Sequence, residues 1–180
     1  MKHLKFIIIP LLSLILASCG SNLPAKSSFK AGEGIFAIPK SYINELNWSD
    51  GWKTDLQISD ANGKVLDDLI RLHYINGRQF LFVKNLSPGQ YTLSGYRRVG
   101  VGENAIKTSL PMVNASKKFT IVEGEVTVLP LIFHTLHKSA GYRRGSSFLK
   151  ILPISEELEE FKAVMAKANK NNEWKVNWPK

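Results

Sequence analysis

Between residues 34 and 154 the chain consists of short alternating or fully apolar runs broken by turn signals. No other feature constrains the fold as much, because period-two alternation suits strands and denies a helix its apolar stripe. Gly34-Ile35-Phe36-Ala37-Ile38-Pro39 predicts a first strand that Pro39 ends. Asp55 to Ser59 alternates, and Leu66, Ile70, Leu72 and Tyr74 share one parity. Asn62-Gly63 and Asn76-Gly77 predict two hairpin turns, since Asn-Gly accepts the positive φ of a tight turn. Gln79 to Leu86 is dense in Phe, Leu and Val and predicts a buried strand. Ser87-Pro88-Gly89-Gln90 has the type II turn pattern. After it, Tyr91 and Leu93 face one way, Thr92 and Ser94 the other. Lys118 to Val122 is a further strand, with a turn at Glu123-Gly124. The long run from Val126 to Leu136 is too β-branched for a helix and places Pro130 at a bulge or edge. Phe148 to Ile154 closes the series. Repeated short strands of this kind predict a sandwich or barrel. The expectation is a mainly β fold: a single antiparallel β-sandwich of about seven strands.

Beyond Pro153 the period changes. Leu158, Phe161, Met165 and Ala168 mark one face at helical spacing. Ser155 is suited to cap that helix, and Glu156, Glu157, Glu159 and Glu160 complement the positive end of its dipole. An amphipathic helix of about four turns follows, stopped at Asn171-Asn172 and expected to pack on the sandwich.

The other end of the chain addresses it. Lys2 and Lys5 precede an apolar stretch, Phe6 to Leu16, that is too short to span a bilayer and matches the core of an export signal. Leu16-Ala17-Ser18-Cys19 follows, and Cys19 is the sole cysteine. These residues resemble the lipobox of bacterial lipoproteins. The resemblance implies cleavage before Cys19, a thioether lipid on its sulfur and acylation of the new amine. In a Gram-negative envelope the expected destination is the outer membrane, since Gly20 stands where an aspartate would signal inner-membrane retention in enteric-type bacteria. No second cysteine exists for a disulfide, so the domain must be held by its core. The expected organisation is residues 1–18 as signal peptide, 19–33 as lipidated cysteine and flexible tether, 34–154 as β-sandwich, and 155–180 as helix and tail.

Leu86-Ser87-Pro88-Gly89-Gln90-Tyr91-Thr92-Leu93 resembles the strand–turn–strand signature of transthyretin-like and carboxypeptidase-regulatory-like sandwiches. Phe119 to Val128 resembles their paired strands around a Gly turn. Such domains mostly serve as non-catalytic modules, so the resemblance implies a fold rather than a reaction.

The residues themselves carry little catalytic chemistry. No serine sits in a nucleophile elbow, and no histidine has a supporting motif. The acids at 156–160 are explained by the helix start, and Asp67-Asp68 diverge on a strand. Gly100-Val101-Gly102 lacks the context of a phosphate loop. His134 and His137 are the nearest approach to a metal pair, but three residues apart on a strand they face opposite sides. No catalytic residue, metal or cofactor is expected.

Charge is more suggestive. Residues 41–72 hold six acids against three bases, whereas residues 73–150 hold eleven bases against three acids. Within the basic part, Gly95-Tyr96-Arg97-Arg98 recurs as Gly141-Tyr142-Arg143-Arg144. Guanidinium groups fork onto phosphate or carboxylate, and tyrosine adds stacking and a hydroxyl. The six residues Tyr96, Arg97, Arg98, Tyr142, Arg143 and Arg144 are therefore the candidate anion-binding patch. The expected function is a non-enzymatic envelope lipoprotein that binds or scaffolds another envelope component. The alternatives are an anionic glycan or lipid binder using the patch and, less favoured, an envelope hydrolase. Nucleic acid is not an expected partner.

Overall fold

The computed structural model describes residues 19–20, 22–45, 52–66, 69–73, 75–100, 112–139 and 145–179. Among these residues the domain is mainly β with one α-helix, and eleven strands form two sheets: β1 (Cys19–Gly20), β2 (Gly34–Asn44), β3 (Trp52–Asp60), β4 (Ile70–Leu72), β5 (Gly77–Leu86), β6 (Gly89–Gly100), β7 (Val113–Ile121), β8 (Glu125–Val128), β9 (Leu131–Ser139), β10 (Gly145–Pro153) and β11 (Lys175–Asn177). The smaller sheet has order β4-β3-β6-β7 and is wholly antiparallel. The larger has seven strands in the order β1-β5-β2-β8-β11, with β9 and β10 branching from β2.

The larger sheet corrects the expectation of a purely antiparallel, seven-stranded sandwich. β2 runs parallel to both β8 and β9, and β11 runs parallel to β8. The physical reason lies in two-sided burial. Phe36 and Ile38 face the smaller sheet while Ile35 and Ala37 face the other way, and all four are fully buried. Strands covered on both faces read as continuous apolar runs, the habit of parallel sheets. The run from Val126 to Leu136 divides in the same way into β8 and β9, both paired with β2. Pro130 falls between them, where a residue without an N–H breaks no ladder. Pro39 lies on β2 at the same change of partner, so it interrupts no pairing and the strand continues to Asn44.

Turn signals fixed backbone shape but not partnership. Gly63 adopts φ +78° and closes the β3–β4 turn onto the Asp60 carbonyl, with Asp60 Oδ1 accepting from the Asn62 and Lys64 amides. At Asn76-Gly77, however, the chain passes from the smaller sheet to the larger, and no β4–β5 hairpin forms. β5 explains this: Leu81 and Val83 are buried on one face, Phe80 and Phe82 on the other, so it belongs in the two-sided sheet. The Pro88-Gly89 corner also crosses between sheets, and the Tyr91 hydroxyl donates to the Ser87 carbonyl at 2.9 Å to hold it.

Two cores result. The first lies between the sheets, where Phe36, Ile38, Leu81, Leu129 and Phe133 meet Leu56, Ile58, Leu72, Leu93 and Ile121. The second covers the outer face of the larger sheet. Here α1 (Leu158–Asn169) presses Phe161 and Met165 against it, with Leu158 and Ala168 alongside. Ser155 does not cap α1. It sits in a 3-10 turn, Ile154–Glu157, whose buried Ile154 donates its amide to the Pro130 carbonyl. That turn takes up the first part of the expected helix.

The second core also corrects the expected tether. Leu23 is 7% exposed, Phe29 meets the Trp174 ring edge-on at 4.9 Å, and Trp174 Nε1 donates to the Pro24 carbonyl at 2.9 Å. A segment that buries a leucine and half-buries a phenylalanine is part of the fold, whatever its Ser/Gly/Lys content. β11, also unanticipated, docks on β8 through Glu125, which accepts from Lys175 and Asn177. Those hydrogen bonds hold the Glu125 carboxyl below its usual range, the Lys175 bond first.

Candidate functional site

Of the two Tyr-Arg-Arg copies, Tyr142, Arg143 and Arg144 lie outside the described residues. The first copy lies on β6, where successive side chains leave on opposite faces. Tyr96 turns inward and meets Phe133 edge-on at 6.1 Å. Arg98, on the same face, donates to the Ser147 carbonyl at 2.9 Å and to its hydroxyl, and lies over the Trp52 ring at 5.0 Å. It ties the smaller sheet to β10 in the larger one. Arg97 points outward instead. The three residues therefore do not converge on one ligand: one fills the core, one joins the sheets and one is left on the surface.

Arg97 belongs to a cluster that the sequence concealed. Asp55 of β3 lies in register with Arg71 of β4 and Arg97 of β6. Its carboxylate is 1% exposed. Arg71 donates to it bidentately, Nε at 2.6 Å and Nη2 at 2.9 Å, while Arg97 Nε stands 3.8 Å away. The hydrogen bonds to Asp55 hold the Arg71 guanidinium above its ordinary range, with burial pulling the other way. Arg97 Nε is buried without a hydrogen bond of its own. Only strand register, invisible in a list of residues, brings these three groups together.

One row further along, His73 follows β4. Lys40 of β2, only 3% exposed, donates its ammonium to the His73 carbonyl. Lys53 Nζ lies 3.4 Å from His73 Nδ1. A lysine ammonium only donates, so a hydrogen bond here requires Nδ1 to accept, as it can in a neutral imidazole. Partial burial and then the charges of Lys53, Lys40 and Arg71 all push the His73 pKa down, in keeping with that state. Burial lowers Lys40 to about 8. Among the described residues no carboxylate pairs with Lys40, Lys53 or His73. Among the described residues the surface around His73 is thus cationic, and Asp55, in register with Arg71 on the neighbouring strand, is already shared by two arginines.

Lys40 makes a testable contribution. Its folded pKa is depressed from 10.5 to about 8, so the folded state resists its protonation. The resulting cost is fully present below pH 8 and fades as pH rises to 10.5. Lys40→Met should therefore stabilise the domain by about 2 kcal/mol at pH 7, since replacing buried charge by apolar bulk commonly does so. That gain should shrink toward zero above pH 10 in paired denaturant titrations of the two proteins.

Of the two histidines, His134 has its Nδ1 buried without a hydrogen bond, whereas His137 has structural employment. His137 is 1% exposed and its Nδ1 lies 3.0 Å from the Tyr42 hydroxyl. Among the described residues no group of three or more His, Cys, Asp or Glu is placed to hold a metal ion. No described helix is long and apolar enough to cross a membrane. Trp174 and Trp178 sit in the second core, and Trp52 supports Arg98; Trp48 lies outside the described residues.

No family model matches the chain, and no curated protein matches it. Among solved structures, it is similar to a leucine-rich repeat protein from Bacteroides thetaiotaomicron. The likeness covers 54% of this chain and 13% of the other, at 16% identity and a TM-score of 0.37, and carries no argument about fold or function.

Proposed function

We propose that the protein is a lipid-anchored, non-enzymatic module of the bacterial envelope, held through Cys19 in the outer membrane, that binds or scaffolds another envelope component. The observation that supports this most is how soon the fold begins after the cysteine. Leu23 is already in the second core, and the Pro24 carbonyl is bonded to Trp174. A lipid on Cys19 would thus attach to the domain body. Two sheets sharing a core, and the Tyr91–Ser87 bond at the Pro88-Gly89 corner, favour a transthyretin-like or immunoglobulin-like sandwich as the ancestral plan. That plan serves recognition more often than catalysis.

The test is metabolic labelling with palmitate in the native host. Wild-type protein should take the label and Cys19→Ala should take none. An unlabelled wild type would overturn the reading.

Arg97 favours a second reading, an anionic glycan or lipid ligand, because its side chain is 34% exposed and its Nε lacks a hydrogen bond. Arg97→Gln should weaken low-salt association with lipopolysaccharide several-fold while leaving the Arg98 tie between sheets intact. Unchanged association would remove that reading.

A further inference from the structure

The connection from β4 to β5 carries features that packing does not require. Ile75 is 56% exposed. Two residues before it, His73 takes a hydrogen bond from Lys40 and contacts Lys53, with no described carboxylate balancing either ammonium. Apolar side chains exposed beside uncompensated cations suit the boundary of an anionic bilayer, where apolar groups enter the interface and cations meet headgroup phosphates.

The position of the anchor makes the same choice of partner. Asn22 and Ile75 line one cavity of about 240 Å³, together with Phe80 and Ala168. Three residues before Asn22 stands Cys19, paired with Val83 of β5. Gln79, opposite Lys40, lies four residues along β5 from Val83, a distance of about 13 Å at the usual strand rise. The lipid attachment point and the cationic loop thus share the β5 side of the molecule.

We propose that Ile75, His73 and Lys53 rest on the anionic headgroups of the bilayer that holds Cys19, with Lys40 adding positive charge from behind. The inference deepens the lipid-anchored reading and rests on it. It gives the anchor an orientation: the β4–β5 connection faces the membrane, and the β6–β7 side of the smaller sheet is presented away from it. Lys53 and His73 are the groups open enough to touch a phosphate, whereas Lys40 is buried behind the His73 carbonyl.

The test uses the full lipidated protein reconstituted in vesicles, with a nitroxide on Ile75→Cys and, separately, on Val122→Cys in the β7–β8 turn. Acylated Cys19 leaves the engineered thiol as the sole target. In phosphatidylglycerol vesicles, collisions of the Ile75 label with a water-soluble nickel relaxant should fall about threefold relative to phosphatidylcholine vesicles. The Val122 label should be equally open in both. Adding Lys40→Met and Lys53→Gln should restore access to the Ile75 label. Equal access at Ile75 in the two lipids would overturn the proposal. Flotation reports the anchor independently, and protein that fails to float with either vesicle would overturn the anchored reading itself.

Discussion

Phe36→Ala lowers the stability of the domain by about 4 kcal/mol, read as a fall in denaturant midpoint with an unchanged slope. Phe36 is fully buried on β2, the strand that pairs with β5 on one side and with β8 and β9 on the other. Its ring stacks on Phe119 of the opposite sheet with centroids 3.9 Å apart and planes within 1°. Truncation removes the transfer energy of the ring and leaves a cavity between two ladders of backbone hydrogen bonds, which cannot close without breaking register. The fold has no disulfide to compensate, since Cys19 is the sole cysteine. A loss below about 1.5 kcal/mol would place Phe36 in a surface-like setting and contradict the two-sheet core.

Asp55→Asn costs about 3 kcal/mol, because it removes a buried charge and leaves its partners behind. The carboxylate accepts both Arg71 hydrogen bonds and stands between two guanidinium groups. An amide keeps the size but supplies one acceptor oxygen where the fork needs two, and turns a donor toward a donor. Arg71 is 43% exposed and can recover hydration, which holds the cost below that of a fully buried pair. Adding Arg97→Met to Asp55→Asn should recover part of the loss, since the two effects share one network. Strict additivity in that double-mutant cycle would show that Arg97 takes no part in it.

What could be read in the sequence follows from which forces are local. Alternation and turn chemistry made the β class and the Gly63 turn legible, and helical spacing made the buried face of Phe161 and Met165 legible. The pairing of strands was not legible, because Asn76-Gly77 shapes the backbone equally well in a hairpin and in a crossing between sheets. The continuous apolar runs at 34–38 and 126–136 did hold the signal for parallel neighbours. Composition alone predicts a tether at 19–33, whereas Leu23 joins the core cluster that holds Trp174 and Phe29 packs against it. In the candidate site, the first Tyr-Arg-Arg copy lies on β6, where strand alternation separates its members. The groups that do gather, Asp55 with Arg71 and Arg97, and His73 with Lys40 and Lys53, come from strands β2, β3, β4 and β6 and the end of β4. Only register and sheet packing bring them into contact.

The most direct test of the anchored-module account is the intact mass and N-terminal peptide of the protein extracted from its native membrane. The account predicts a chain that begins at Cys19, with a diacylglyceryl thioether on the sulfur and a fatty acyl group on the amine. A chain that starts elsewhere, or one that carries Cys19 as a free thiol, would contradict it.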